Sequence, residues 1–166
     1  MFVKFLRENI YASFVLLLLR LYLGWEWMTA GWGKITEDFD AANFLKGAVG
    51  KASGDHPAVQ TWWANFLEGF AIPNVGMFNF LVAWGEFLVG IALLLGIFTT
   101  FAALMGIIMN FAFLLSGTTS TNPQMVILTI FILVAGANAG KIGLDYYVLP
   151  YVKNLFFKKR NRTVNT

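Results

Sequence analysis

Four stretches of this chain are apolar for about the length an α-helix needs to cross a bilayer, roughly 20 residues. They run from about Ile10 to Trp32, Gly76 to Ile97, Thr100 to Leu115 and Pro123 to Gly140, and the third is the shortest. Backbone N–H and C=O groups find no water in hydrocarbon, so a spanning segment must satisfy its own hydrogen bonds. Segments this long and this continuously apolar do so as helices. The expected fold is all-α, an integral membrane four-helix bundle in which residues 1–166 make one membrane domain. Composition agrees: 58% of residues are hydrophobic and 13% are charged, against about 25% charged in a soluble domain.

The basic residues orient the bundle. Lys4 and Arg7 precede the first span, and Lys141, Lys153, Lys158, Lys159, Arg160 and Arg162 follow the fourth. The stretch between spans one and two holds only Lys34, Lys46 and Lys51. Lys and Arg accumulate on the cytoplasmic side, so both termini are expected there. The first span is too long for the apolar core of a cleaved signal peptide, contains Arg20, and lacks a small-x-small site after it.

The external loop, residues 33–75, is long for so small a chain. Phe39, Ala42, Leu45 and Val49 share a helical face, and Trp62, Trp63, Phe66, Leu67 and Phe70 recur at helical spacing. The second set reads as an amphipathic helix at the outer interface, where tryptophan is favoured. It is either an anchor and lid or the wall of a substrate entrance. After the fourth span, Tyr146 to Phe157 has the look of a short interfacial helix interrupted by Pro150. The basic tail beyond it suits anionic lipid rather than nucleic acid.

Within this apolar frame one residue is costly. Arg20 follows six apolar residues and precedes Leu21-Tyr22-Leu23-Gly24-Trp25. A charge near the bilayer centre costs about 3 kcal/mol on insertion scales, so it must be paired, hydrated or used. Arg20, Gly24, Trp27 and Gly31 fall on one helical stripe that Lys34 roughly continues. The two glycines predict close approach of a neighbouring helix or a ligand. Glu86 lies near the middle of span two, on a stripe with Asn79 and Gly90. Matching the midpoints of two antiparallel spans puts Arg20 and Glu86 at one depth, and an ion pair between them is the simplest expectation.

Other polar residues extend a thread through the bundle. Glu26 and Asn110 belong to the outer half, and Asn138 and Asp145 to the inner edge. Polar side chains also simply hydrogen-bond between membrane helices, for about 0.6–2 kcal/mol each. Gly136 and Gly140 form a GxxxG pattern suited to helix contact within or between chains, so a homo-oligomer is open. The chain has no Cys and one His. Thiol–disulfide chemistry, thiolate-held clusters and bis-His haem within this chain are excluded, and no metal site is expected.

Several segments together resemble one family. Arg20-Leu21-Tyr22-Leu23-Gly24-Trp25-Glu26-Trp27 through Gly31-Trp32-Gly33-Lys34 resembles the first helix of the DoxX/DoxD family. Trp84-Gly85-Glu86 through Thr99 is similar to its second helix, and Met109-Asn110-Phe111 through Asn122-Pro123 to its third helix and following loop. Gly136-Ala137-Asn138-Ala139-Gly140 through Asp145 is similar to its fourth. The family comprises small bacterial and archaeal four-helix proteins of the cell membrane, and takes its name from the membrane subunit of a thiosulfate:quinone oxidoreductase. The resemblance implies a redox role at the quinone pool, with quinone as the expected cofactor and a second redox subunit or soluble redox enzyme as a possible partner.

The resulting expectation is a membrane subunit that binds a quinone, or a similar small aromatic, between its helices. Glu86 and Glu26 are the candidate proton donors, and Arg20 the group that stabilises an anionic reduced ring. Trp27 and Trp84 are candidates for the ring-stacking wall, and Lys34, Asn110 and Asn138 complete the expected binding set. An anion such as thiosulfate would suit Arg20 or Lys34. The alternatives are a transporter for a small solute or proton, for which an intramembrane charge pair also serves, and a non-catalytic anchor for soluble redox enzymes.

Overall fold

The computed structural model describes residues 1–152 and residue 154, and these are helical almost throughout. A short helix α1, Phe2–Glu8, leads into α2, Ile10–Thr36. Asn9 separates them: its backbone is extended, and its side chain accepts from Tyr11 N at 2.8 Å, capping α2. The loop carries α3, Ala42–Gly50, and α4, Thr61–Phe66, which runs on as a π-helical turn over Leu67–Ala71. The apolar helices α5, Val75–Leu95, α6, Thr99–Leu115, and α7, Asn122–Ala135, follow. A 3-10 turn over Gly136–Gly140 continues α7, and residues 145–152 are helical through Pro150. The basic tail and the remainder of the expected interfacial helix lie outside the described residues.

Three of these elements are long and apolar enough to cross a membrane: Ile10–Thr36, Val75–Leu95, and α7 counted with its 3-10 end, Asn122–Gly140. The helix α6, with 17 residues, is apolar but shorter. The protein is a multi-pass membrane protein built as a helical bundle. Two helical boundaries differ from expectation in ways that matter. First, α2 continues one turn beyond Trp32 and carries Lys34 on a helix rather than in a loop. Second, the fourth apolar segment breaks at Gly136, whose φ of 57° and ψ of −128° are open only to glycine. The GxxxG pattern therefore does not form an α-helical contact stripe. Gly136 ends the helix, and Gly140 leaves the space into which the Asp145 carboxylate fits.

The helices α2 and α5 pack antiparallel with their backbones almost in contact. A Cβ on Gly31 would collide with the Phe87 backbone, and one on Gly90 with the Met28 backbone. A Cβ on Gly24 would come within 2.9 Å of Leu94 N. Small residues are the usual means of close approach in lipid, where apolar side chains gain little by leaving the bilayer. These three contacts also set the register, pairing residue 31 with 87, 28 with 90 and 24 with 94. The core of the bundle is formed by Leu16, Leu23, Trp27, Leu93, Ala103 and Ile132 with their neighbours. The loop has its own small core of Ala41, Leu45, Ala48, Leu67 and Ala71. It is a folded cap, fastened to the bundle where Trp63 Nε1 donates to Ser116 Oγ at 2.9 Å and Lys51 Nζ donates to Gly117 O at 3.0 Å.

Candidate functional site

The observed register separates Arg20 from Glu86. Residue 20 of α2 faces the turn after α5, and the nearest positions are Gly96 and Gly143, where an added Cβ would strike the guanidinium. Glu86 lies ten residues back along α5, about 15 Å at 1.5 Å per residue. The expected ion pair does not form. Matching span midpoints fails because the centres of α2 and α5, near residues 23 and 85, are not level: residue 24 packs beside residue 94. The glycine contacts, not the centres, decide which residues are level.

Arg20 is buried, with 1% of its surface exposed. Its Nη1 donates to Ala139 O at 3.0 Å and its Nη2 to Ile142 O at 2.6 Å. Among the described residues Arg20 makes no ion pair within 4 Å, and Asp145 is the carboxylate of the same junction. Asp145 in turn accepts from Phe98 N at 2.7 Å and Thr99 N at 2.9 Å, capping the start of α6. That cap holds Phe98 at φ 47°, a conformation rare for a side chain of this size. Leu144 N and Asp145 N donate to Leu95 O and Gly96 O. The arginine therefore lies in a junction that ties α2, the α5–α6 turn and the segment after α7 together.

Asn138 belongs to a second junction at the same end. Its Nδ2 donates to Leu6 O at 2.8 Å and Asn9 O at 3.0 Å, and its Oδ1 accepts from Ser13 Oγ at 2.7 Å. Every hydrogen-bonding group of that amide is engaged in holding the α1–α2 break. Trp84 is 41% exposed and packs against Phe80 and Phe87. The structure brings none of Arg20, Asn138 and Trp84 to the cavity described next.

At the opposite end of α2, under the loop cap, lies a cavity of about 310 Å³. Glu26, Trp27, Ala30 and Lys34 form one stripe of α2 along it, and Val82 and Glu86 face it from α5. Phe39, Ala41 and Phe44 come from the loop, and Phe113, Thr118, Ser120, Thr121, Asn122 and Met125 from α6, the following turn and α7. A buried ion pair lies here: Lys34 Nζ donates to Glu86 Oε2 at 2.7 Å. The carboxylate is almost fully buried and the lysine side chain is 25% exposed. The ammonium also sits 5.6 Å from the centre of the Phe39 ring. Glu26 is half-buried, and its carboxylate makes no ion pair or hydrogen bond among the described residues.

Asn110 stands behind this wall, fully buried. Its Nδ2 donates to Asn122 Oδ1 at 2.9 Å, while its own Oδ1 is buried without a partner. Such orphaned acceptors are uncommon in folded proteins. Four of the residues singled out from sequence, Glu26, Trp27, Lys34 and Glu86, thus share one cavity, and Asn110 adjoins it. The sequence reading did not single out Phe44, Phe113, Asn122 or Met125 as site residues. Asn122 had been legible only as a helix start beside Pro123, and nothing in its spacing ties it to α2.

The fold and the cavity define a class: a multi-pass helical membrane protein with an aromatic-walled, carboxylate-bearing pocket under a folded loop. A family model described as DoxX matches residues 15–119, more than half of the chain, and the protein belongs to the DoxX family. No curated protein and no solved structure matches it. The matched range includes Glu26, Trp27, Lys34, Glu86 and Phe113, and stops before Asn122. Membership suggests a membrane redox-associated role.

Proposed function

We propose that this protein is the membrane subunit of a redox system and binds the head group of a quinone in the Lys34–Glu86 cavity. The observation that carries the reading is the cavity itself: a ring-sized space with aromatic and apolar walls and a buried ion pair at its edge. Its volume of about 310 Å³ is at the lower end for small-molecule sites, roughly 300–1,000 Å³. It suits a single ring system and leaves an isoprenoid tail to the lipid. A quinone, when bound, supplies two-electron chemistry coupled to two protons. Trp27, Phe39, Phe44 and Phe113 supply the ring faces that hold it flat. Lys34 Nζ and Glu86 Oε2 share a proton-bearing contact, from which a proton passes to or from a ring oxygen. Phe39 and Phe44 of the loop cap cover part of the cavity. Electrons come from a partner protein or a second bound substrate.

The same reading sets the topology. Four spans, with α6 as the third, place both termini on the cytoplasmic face and the cavity toward the outer one. At 17 residues, α6 is about 26 Å long, and local thinning of the bilayer accommodates the difference.

The test is a titration of purified protein in detergent with a short-chain ubiquinone or menaquinone analogue, followed by tryptophan fluorescence. Saturable quenching is expected, weakened at least tenfold in Lys34→Met and Glu86→Leu. Absence of saturable binding, or equal binding in both variants, would overturn the assignment. One observation favours transport instead: a second cleft, lined by Arg7, Lys141, Asp145 and Tyr146, opens at the other end of the bundle. Solute flux into proteoliposomes without any redox partner would support that reading.

A further inference from the structure

We infer that Asn122 donates a hydrogen bond to a ring oxygen of the ligand, and that Asn110 is the positioning residue that holds the Asn122 amide for it. This rests on the quinone reading above and deepens it, because it names a ligand contact beyond the Lys34–Glu86 pair. Asn122 opens α7 and lines the cavity, with 8% of its surface exposed. A carboxamide carries two N–H donors and one oxygen acceptor. One N–H of Asn122 donates to Thr118 O at 3.2 Å, and the amide oxygen accepts from Asn110 Nδ2 at 2.9 Å. A backbone carbonyl only accepts, so the nitrogen must be the atom that faces Thr118 O. The second N–H of Asn122 has no partner among the described residues and is left for whatever fills the cavity.

The orphaned acceptor of Asn110 follows from this arrangement. Asn110 stands behind the wall, fully buried, and turns its Nδ2 to Asn122 Oδ1, so its own Oδ1 is left without a donor. Such an atom destabilises the fold and is seldom left unmet. Turning both amides over would satisfy Asn110 Oδ1 only by setting Asn122 Oδ1 against Thr118 O. The turn that carries Thr118 is constrained as well: Gly117 and Ser120 have φ of 70° and 40°, and at Ser120 that is uncommon for a residue with a side chain. Strain of this kind persists where the surroundings impose it, and it gathers at ligand sites. Other donors on the wall are not aimed in this way. The hydroxyls of Thr118, Ser120 and Thr121 rotate and serve as donor or acceptor alike. Lys34 Nζ is on Glu86 Oε2 and 3.5 Å from Ala30 O, and Trp27 Nε1 lies 3.0 Å from where a Cβ on Gly106 would stand, against α6. Asn122 is a neutral donor whose direction the fold sets. A ring oxygen accepts from it whether the ring is oxidised or reduced.

The test uses duroquinone with the full-length protein in detergent, read by calorimetric titration and by the infrared carbonyl stretch of the bound quinone. A hydrogen bond lowers that stretch, and a merely structural residue does not move it. In Asn122→Leu the stretch is expected to return toward its value in apolar solvent, and affinity to fall about fivefold, the worth of one neutral hydrogen bond. Asn122→Ala carries the same expectation if the leucine variant fails to fold or fills the cavity. In Asn110→Leu the donor remains but is tied on one side only, so the band should broaden and move part of the way back. A carbonyl stretch unchanged in folded Asn122→Leu or Asn122→Ala overturns the contact and leaves the quinone site standing. A band unchanged in Asn110→Leu overturns the positioning role. Failure of the native protein to bind duroquinone overturns the quinone site and this contact together.

Discussion

Two buried charged centres lie along α2, about 20 Å apart at 1.5 Å per residue from position 20 to position 34. At the first, the Arg20 guanidinium meets two carbonyls and packs against glycines at 96 and 143, and the Asp145 carboxylate caps α6 and borders the second cleft. At the second, Lys34 and Glu86 border open space and an unpartnered carboxylate. Both centres avoid the cost of a bare charge in hydrocarbon. They differ in what remains free. At the first, both Nη atoms of Arg20 and both oxygens of Asp145 are taken up by the chain's own backbone, only Arg20 Nε lacks a partner, and the guanidinium lines neither cavity, which fits a structural clamp; the second keeps a carboxylate and ring faces on a cavity, as the proposed binding site requires. Intramembrane charge alone does not distinguish the two, and the surrounding volume does.

The comparison can be broken most decisively at Arg20. Arg20→Met leaves Ala139 O and Ile142 O without their donor, and each buried polar group left unsatisfied costs about 1–3 kcal/mol. A large fall in thermal stability in detergent is expected, while the folded fraction binds quinone analogue as the native protein does. Loss of binding in fully folded protein would place Arg20 in the site after all.

Next in size is the packing that sets the two centres apart. Gly90→Val drives a side chain into the Met28 backbone, and overpacking of this kind costs about 1–3 kcal/mol. Because α2 and α5 carry adjoining walls of the cavity, binding should weaken along with stability, and a thermal melting curve and the fluorescence titration report the two effects. Lys34→Met sharpens the contrast further. It leaves Glu86 buried and unpaired, so it should destabilise, and the double variant Lys34→Met with Glu86→Leu should recover most of that stability but not the binding. An Arg20 variant has no such simple rescue, since its partners are backbone carbonyls.

The smallest stability effect is expected at Glu26→Gln. Its carboxylate is half-buried and without a partner among the described residues, so unfolding should shift by no more than about 0.5 kcal/mol. A change in stability as large as that of Lys34→Met would show that Glu26 is structural.

The membrane bundle, the folded loop and the close approach at Gly24 and Gly31 were legible along the chain, because hydrophobic runs, helical stripes and small residues are local patterns with local causes. Trp27 and Lys34 were legible as one helical stripe for the same reason, while Glu26 was read only as a polar residue of the outer half. Their meeting with Glu86, and not with Arg20, was not. Which residues of two antiparallel helices are level depends on register, and register here follows from three backbone contacts that span midpoints do not encode. The roles of Asn138 and Asp145 were hidden similarly: each is fixed by partners more than 40 residues away, at Ser13, Leu6 and Asn9 for one and at Phe98 and Thr99 for the other.

By itself, then, the order of residues determined that the chain lives in a membrane as helices and that a few charged groups in it must be accounted for, since hydrophobicity and desolvation act on each segment where it stands. Only the tertiary structure decided which charge is locked and which borders a cavity. That distinction depends on the space left between elements after they pack, and such space has no signature in any one of them.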